Sequence, residues 1–188
     1  HDSMENQDGA DFYDSRLFQI AINHLPNIIE TLRLYKDEYQ VGLKANEIVL
    51  EETGVAFTED EAGFIAMHFV NAQIGGEIRE VYDMTYLMQA ALRIVREVYG
   101  AEPDSSTIEY YRFITHLKFF AARVLQAKQM PDDDDFLFRN MIRDQYKKSY
   151  ACAQMIRQHL GECYKVAISE EEVVYLTVHI KRVTMHVD

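Results

Sequence analysis

The sequence contains an internal repeat, which constrains its fold more than any other feature. Residues 35–72 align without a gap on residues 146–183, at an offset of 111 residues. Identical pairs along this alignment are Tyr35 and Tyr146, Lys36 and Lys147, Tyr39 and Tyr150, Glu51 and Glu162, Glu61 and Glu172, and His68 and His179. Self-similarity at one fixed offset is the mark of a duplicated structural unit. The chain is therefore predicted to contain two similar folding units.

Each unit is predicted to be helical. Apolar residues recur at spacings of three and four in residues 84–98 and 110–124, which is the period of one helix face. Gly100 predicts the end of the first helix, and Met130-Pro131 predicts the end of the second. The same rhythm continues through residues 137–160. With three Pro and eight Gly in the whole chain, few turns are available for an all-β fold. We expect an all-α fold of two tandem homologous helical bundles.

The two units are predicted to meet at Ile74-Gly75-Gly76, with residues 1–73 forming the first and residues 77–188 the second. A further match, at an offset of 92, aligns Ile22-Asn23-His24-Leu25 with Ile114-Thr115-His116-Leu117. The offset falls from 111 to 92, a difference of nineteen, which means that the first copy lacks nineteen residues just after His24. Two explanations remain open from the sequence: a shortened repeat, or a joining of segments that are not adjacent in the native chain.

Each copy presents two histidines at matching positions. Thr58 to Glu61 and Ser169 to Glu172 both fit the capping box that opens a helix. A histidine follows each boxed glutamate by seven residues, about two turns, and so lies on nearly the same face. The four histidines are His24 and His68 in the first copy, and His116 and His179 in the second.

Charge and composition exclude several classes of protein. The net charge of −12 at pH 7 should repel phosphate backbones, so we expect no direct binding of nucleic acid by this chain. No apolar run approaches the ~20 residues of a membrane span, and no secretory signal is visible. Cys152 and Cys163 are predicted to be reduced core thiols in a cytoplasmic protein.

The histidines are better suited to accept a phosphoryl group than to do other chemistry. Metal-binding HExxH spacing and cysteine clusters are absent, as are glycine-rich nucleotide loops, so no metal or cofactor is expected. A lone histidine on an amphipathic helix is usually packed or surface-exposed, and a helical scaffold without phosphorylation remains an alternative. Four at matching positions favour a role in phosphoryl transfer, because neutral imidazole is a competent nucleophile near pH 7.

Three histidine-centred stretches resemble a known family, the duplicated phosphotransferase-system regulation domain of the BglG/LicT-type transcriptional antiterminators. The resemblance covers about residues 14–183. The stretches that carry it are Glu59-Asp-Glu-Ala-Gly-Phe-Ile-Ala-Met-His68-Phe-Val-Asn-Ala72, Arg112-Phe-Ile-Thr-His116-Leu-Lys-Phe-Phe120 and Tyr175-Leu-Thr-Val-His179-Ile-Lys-Arg-Val183. One departure is Asn23, where the family usually has Asp before the first histidine.

The resemblance implies a phosphorylation-controlled regulator that forms homodimers and is not an enzyme. In that family an N-terminal RNA-binding domain, which is not in this sequence, binds a hairpin in the mRNA leader of a sugar-utilisation operon and prevents termination. By analogy, His24 and His68 would receive inhibitory phosphates that depend on the sugar-specific enzyme II. The phosphocarrier HPr would place activating phosphates on His116 and His179.

Two other functions remain open: a fragment of a DNA-binding activator that carries the same paired domains, and an all-α metal-dependent phosphohydrolase. The latter needs His-Asp ligand pairs, and the sequence has one such doublet, His1-Asp2. The effect of each phosphate is also open. Repulsion between phosphates would open a dimer interface, whereas a nearby arginine such as Arg112 or Arg182 would clamp the phosphate and close it.

Overall fold

The computed structural model describes residues 34–75, 78–128, 130–131 and 136–186. Every regular element in these residues is a helix, which confirms the all-α prediction. The seven helices are α1 (Lys36–Thr53), α2 (Glu59–Ile74), α3 (Ile78–Tyr99), α4 (Ile108–Leu125), α5 (Phe136–Gln145), α6 (Lys147–Tyr164) and α7 (Glu170–Val183). None of these helices has the length and apolar composition that crossing a membrane requires.

The duplicated sequence folds into matching pairs of helices. Helices α1 and α6 have 18 residues each and begin at equivalent positions. The residues before them, Tyr35 and Tyr146, share one backbone conformation, with φ −126° and ψ 48° in the first and φ −116° and ψ 48° in the second. Both helices end in a left-handed residue, at Gly54 and Lys165. The boundary between two folding units at residues 73–77 stays a prediction.

One hydrophobic core joins the second copy to the described part of the first. It is built mainly from α3, α4, α6 and α7, and Tyr35, Met67 and Val70 of the first copy pack into it. The Tyr35 hydroxyl lies 3.0 Å from Thr85 Oγ1, so that this buried polar group is satisfied. The predicted positions that are buried are Met84, Leu87, Met88, Ala91, Val95, Phe113, Ile114, Leu117, Phe120, Ala121 and Val124. Val98 and Tyr110, which the same spacing predicted, are partly buried and pack against this core.

Helix α4 ends at Leu125 and not at Met130-Pro131, so that prediction is wrong. The cause is a left-handed residue that is not glycine: Ala127 has φ +53°. The Lys128 N–H donates to the Arg123 carbonyl at 2.9 Å, and the Ala127 N–H donates to the Val124 carbonyl at 3.3 Å. This pair of bonds is the Schellman motif, which satisfies the last carbonyls of the helix before the chain reaches the proline.

Two further expectations for residues 137–164 are corrected. The continuous helical rhythm breaks at Tyr146, whose ψ of 48° leaves the helical region and separates α5 from α6. Cys152 is buried, as predicted, but Cys163 is exposed near the end of α6, because it lies on the face of α6 away from the core. Both thiols are free.

The first copy brings its two helices unusually close together. A Cβ added to Gly42 of α1 would lie 2.2 Å from the Ala62 carbonyl oxygen of α2. Because that oxygen belongs to the backbone, no side chain can move aside to make room. The second copy has Ala153 and Val173 at the equivalent positions, both fully buried. The smaller pair in the first copy is therefore what permits the close approach of α1 and α2.

Replacing Gly42 by Ala is expected to separate α1 from α2 and to destabilise the fold by about 2 kcal/mol, or about 6 °C in Tm, because backbone must move to admit the methyl group. Thermal melting followed by circular dichroism would measure the change. Gly161→Ala in α6 is the matched control, since its Cβ would lie farther from backbone, 3.3 Å from the Val166 carbonyl oxygen. An equal loss in both variants would contradict the close-approach explanation.

Candidate functional site

The two histidines of the second copy form a stacked pair. His116 on α4 and His179 on α7 have ring centroids 3.8 Å apart and an interplanar angle of 26°. Both rings are partly buried, with one side open to solvent. Glu172 and His179 lie on nearly the same face of α7, as the seven-residue spacing predicted, and this face meets α4. The structure therefore brings together two of the four predicted site residues.

Tyr175 fixes the orientation of His116. It lies one turn before His179, on the same face of α7, and its hydroxyl is 2.6 Å from His116 Nδ1. The same hydroxyl donates to the His116 carbonyl oxygen at 3.5 Å. This contact engages Nδ1, and Nε2 is the ring nitrogen of His116 that has no hydrogen-bond partner in the described residues. The arrangement therefore leaves Nε2 open to a group from outside the chain.

A buried ion pair between Arg123 and Glu172 lies against the ring of Tyr175. The Arg123 guanidinium donates from Nε and Nη2 to the two carboxylate oxygens of Glu172, at 2.7 Å each. The Glu172 side chain is completely buried and also accepts from the Met130 N–H at 3.1 Å. Arg123 Cζ lies 4.9 Å from the centroid of the Tyr175 ring. The predicted capping box at Ser169 is therefore used differently: Ser169 Oγ accepts from the Glu172 N–H, while the Glu172 carboxylate binds Arg123.

Two exposed arginines flank the histidine pair. Arg112 lies one turn before His116 on α4, and Arg182 lies one turn after His179 on α7. Both lower the pKa of His116 through their charge, which shows that they lie near the ring. Within the described residues neither arginine has an acidic partner. The site therefore carries uncompensated positive charge at its open side.

Lys118 does not belong to this site, although it stands two residues from His116. Its Nζ lies 2.9 Å from Glu38 Oε1 and 2.8 Å from Gln73 Oε1, both in the first copy. Two residues along a helix correspond to a rotation of about 200°, so that Lys118 points away from the His116 face. Lys118 is therefore not placed to balance a phosphate on His116, although its position in the sequence suggests that role.

Burial and positive charge keep both rings neutral near pH 7. Burial is the main cause of the lowered pKa of His116, and Arg182, Arg123 and Arg112 add to it. The pKa of His179 falls to about 4, first through burial and then through His116 and Arg182. A neutral imidazole keeps the lone pair that nucleophilic attack requires.

The depressed pKa of His179 predicts acid sensitivity. The unfolded chain binds the His179 proton near pH 6.5 and the folded chain near pH 4. Its contribution to stability is therefore complete above pH 6.5 and is lost as the pH falls toward 4. Between pH 8 and pH 4.5, the Tm of His179→Gln should fall less than the Tm of wild type. The Tm difference between the two proteins at pH 8 measures the cost of losing the ring contact itself. Parallel losses in the two proteins would contradict the prediction.

The first copy lacks most of these partners. His68 is exposed on α2, and His24 lies outside the described residues, so their proximity stays a prediction. Phe64 stands where the second copy has Tyr175, and it carries no hydroxyl for a histidine. Asn71 stands where the second copy has Arg182. The features that hold and charge the histidine pair are therefore those of the second copy.

Tyr175 and Arg123 are the site residues whose roles the sequence did not predict. Their spacing could have indicated them, because Tyr175 is one turn from His179 and Arg123 is two turns from His116. No group of three or more His, Cys, Asp or Glu in the described ranges could hold a metal ion.

Comparison with known proteins identifies the family of this chain. Residues 15–72 and 89–183 match the PRD domain. The transcription antiterminator LicT of Bacillus subtilis (strain 168) is 39% identical over 180 residues, which cover 96% of this chain and 61% of that protein. The beta-glucoside operon antiterminator of Dickeya chrysanthemi is 39% identical over 154 residues, 82% of this chain and 54% of that protein.

A third relative, protein GlcT of Staphylococcus epidermidis, is 31% identical over 165 residues, 88% of this chain and 58% of that protein. The chain thus spans between half and two thirds of the length of these relatives. The matches confirm the resemblance to the BglG/LicT-type antiterminators, and the two matched segments contain all four predicted histidines. This chain belongs to the PRD domain family of phosphotransferase-system regulation domains.

Proposed function

We propose that this chain is the regulatory part of a transcriptional antiterminator that controls a sugar-utilisation operon. Its switch is histidine phosphorylation by the phosphoenolpyruvate-dependent sugar phosphotransferase system. The observation that carries the proposal is the His116–His179 pair with a free Nε2 and two flanking arginines. The names of the relatives favour antitermination over DNA-binding activation. Recognition of the mRNA leader belongs to the parent protein, since this chain carries a net charge of −12.

His116 and His179 are the proposed acceptors of phosphate from HPr. The Nε2 lone pair of the neutral ring attacks the phosphorus of a phosphohistidine on HPr, and the N–P bond of the donor breaks as the new N–P bond forms. The donor imidazole, protonated on its other ring nitrogen, leaves as a neutral ring, and the acceptor ring keeps the proton on its own second nitrogen. Tyr175 keeps its hydrogen bond to Nδ1 and so holds the ring in place for attack.

The flanking arginines would hold the product. A phosphoryl group brings up to two negative charges and three acceptor oxygens. Arg112 and Arg182 are within one turn of the two rings and have no acidic partner in the described ranges. Charge-assisted bonds to a phosphate are stronger than neutral ones, so a phosphate here would draw the two guanidinium groups together. This favours clamping over repulsion at the second copy.

His24 and His68 are the proposed sites of inhibitory phosphorylation that depends on the sugar-specific enzyme II. The exposed His68 is accessible to a protein donor, and Phe64 and Asn71 stand at the positions equivalent to the tyrosine and the arginine of the second copy. We further propose that the chain is a homodimer, cytoplasmic and without catalytic activity of its own. Phosphates at the two copies would then act on one dimer equilibrium in opposite directions.

The test is phosphotransfer with purified components. Incubation with phosphoenolpyruvate, enzyme I and HPr should place acid-labile phosphate on His116 and His179. The variants His116→Asn and His179→Asn should each lose the phosphate of the replaced histidine. His159 lies between α3 and α6, away from this pair, and His159→Asn should keep full labelling. Label that maps to His24 and His68 alone would overturn the assignment to HPr.

A further inference from the structure

A cleft lies between α3 and α6, apart from the histidine pair. Its volume is about 500 Å³, within the ~300–1,000 Å³ range of small-molecule sites. The loop after α3 and the start of α4 close its ends. The lining includes Gln89, Arg93, Arg96, His159 and Cys163. Neither His116 nor His179 contributes to it.

The cleft contains a buried nitrogen donor without an acceptor in the described residues, beside an arginine without an acidic partner there. Gln89 and Arg93 are one turn apart on the same face of α3. Gln89 Nε2 is buried and has no hydrogen-bond partner in the described part of the chain. Arg93 Nη2 lies 3.4 Å from His159 Nε2, and its guanidinium has no acidic partner among the same residues. The Gln89 amide lacks an acceptor, and the exposed guanidinium of Arg93 places positive charge beside it, so that a negatively charged acceptor would suit both groups.

The rest of the lining indicates the size and character of that acceptor. At the rim Arg96 is neutralised by Glu102 at 2.7 Å, so that the net positive charge of the cleft centres on Arg93. Ser105 contributes a hydroxyl group, and Ala90 and Leu92 contribute an apolar wall. The volume exceeds that of a bare phosphate ion. Arginine suits phosphate and carboxylate because its fork of donors matches two oxygens.

We propose that this cleft binds a small organic anion, a phosphate monoester that carries hydroxyl groups. The phosphate would accept from Arg93 and from the Gln89 amide. The hydroxyl groups would face the polar rim near Glu102 and Ser105. A ligand in the cleft would contact both α3 and α6, away from His116 and His179. A small molecule could therefore act on the chain independently of phosphotransfer.

Calorimetric titration of the whole chain with glucose 6-phosphate tests the proposal, with glucose and inorganic phosphate as the comparison ligands. Glucose 6-phosphate should bind, inorganic phosphate should bind at least tenfold more weakly, and glucose should give no heat. Arg93→Gln should weaken binding of glucose 6-phosphate at least tenfold. Arg143→Gln, which removes an exposed arginine on α5 outside the cleft, is the matched control and should bind as wild type does.

Cys163 gives a second readout of where the ligand binds. It is exposed at the cleft, with Sγ 3.8 Å from His159 Nε2, whereas Cys152 is buried. Glucose 6-phosphate should slow the alkylation of Cys163 by iodoacetamide several-fold. Gln89→Met provides an independent variant that removes a donor at similar volume, and its melting curve checks its fold. Absence of both heat and protection, equal binding of glucose, or unchanged binding in Arg93→Gln would overturn the proposal.

Discussion

A chain with aspartate at both His116 and His179 is expected to form a homodimer about tenfold tighter than wild type, a gain of about 1.4 kcal/mol. The two carboxylates introduce negative charge beside Arg112 and Arg182, which have no acidic partner in the described residues. Each carboxylate carries one charge where a phosphohistidine carries up to two, so that the substitution reproduces part of the effect of phosphorylation.

The sign of the effect distinguishes a local response from a general one. The chain already carries a net charge of −12, so that added negative charge at an arbitrary surface position should weaken self-association. The control variants are His116→Asn/His179→Asn, which removes both rings without adding charge, and His159→Asp, which adds charge elsewhere. Sedimentation equilibrium measures the dimer Kd of each. If the double aspartate variant dimerises no better than the asparagine variant, activation by charge at this pair is wrong.

The repeat explains why much of this architecture could be predicted. Equivalent residues of the two copies adopt equivalent conformations, as at Tyr35 and Tyr146, because the same local sequence meets the same packing. Helical period placed Glu172 and His179 on one face of α7. The stacking of His179 on His116 was not predicted, because it depends on how α4 packs against α7.

What escaped prediction depends on contacts between distant segments. Helix α4 ends at a left-handed alanine, and no glycine marks it in the sequence. Glu172 fits a local capping box, yet tertiary packing brings Arg123 to its carboxylate. Lys118 is adjacent in sequence to the site but binds the first copy. Local spacing cannot show which partner each side chain takes, because a stronger partner on a distant helix replaces the local one.

The Arg123–Glu172 pair provides the largest expected effect on stability. Replacing Arg123 by Met keeps most of the aliphatic bulk but leaves a completely buried carboxylate whose remaining donor among the described residues is the Met130 N–H. Removing one partner of a buried pair costs about 3–5 kcal/mol. At about 2–4 °C for each kcal/mol in a chain of this size, Tm should fall by roughly 10 °C.

Two further variants separate the buried charge from other consequences of this substitution. Arg96→Met breaks the exposed pair with Glu102 and should cost less than about 1 kcal/mol, because solvent screens that pair. The double variant Arg123→Met/Glu172→Leu removes the unpaired carboxylate and should recover most of the lost Tm, since an apolar pair of similar volume can replace a buried ion pair. Because Arg123 also lies against Tyr175, the single variant should loosen the His116 ring and slow phosphotransfer from HPr. A melting temperature within about 2 °C of wild type for Arg123→Met would show that the carboxylate finds another partner, and that the pair does not hold α4 to α7.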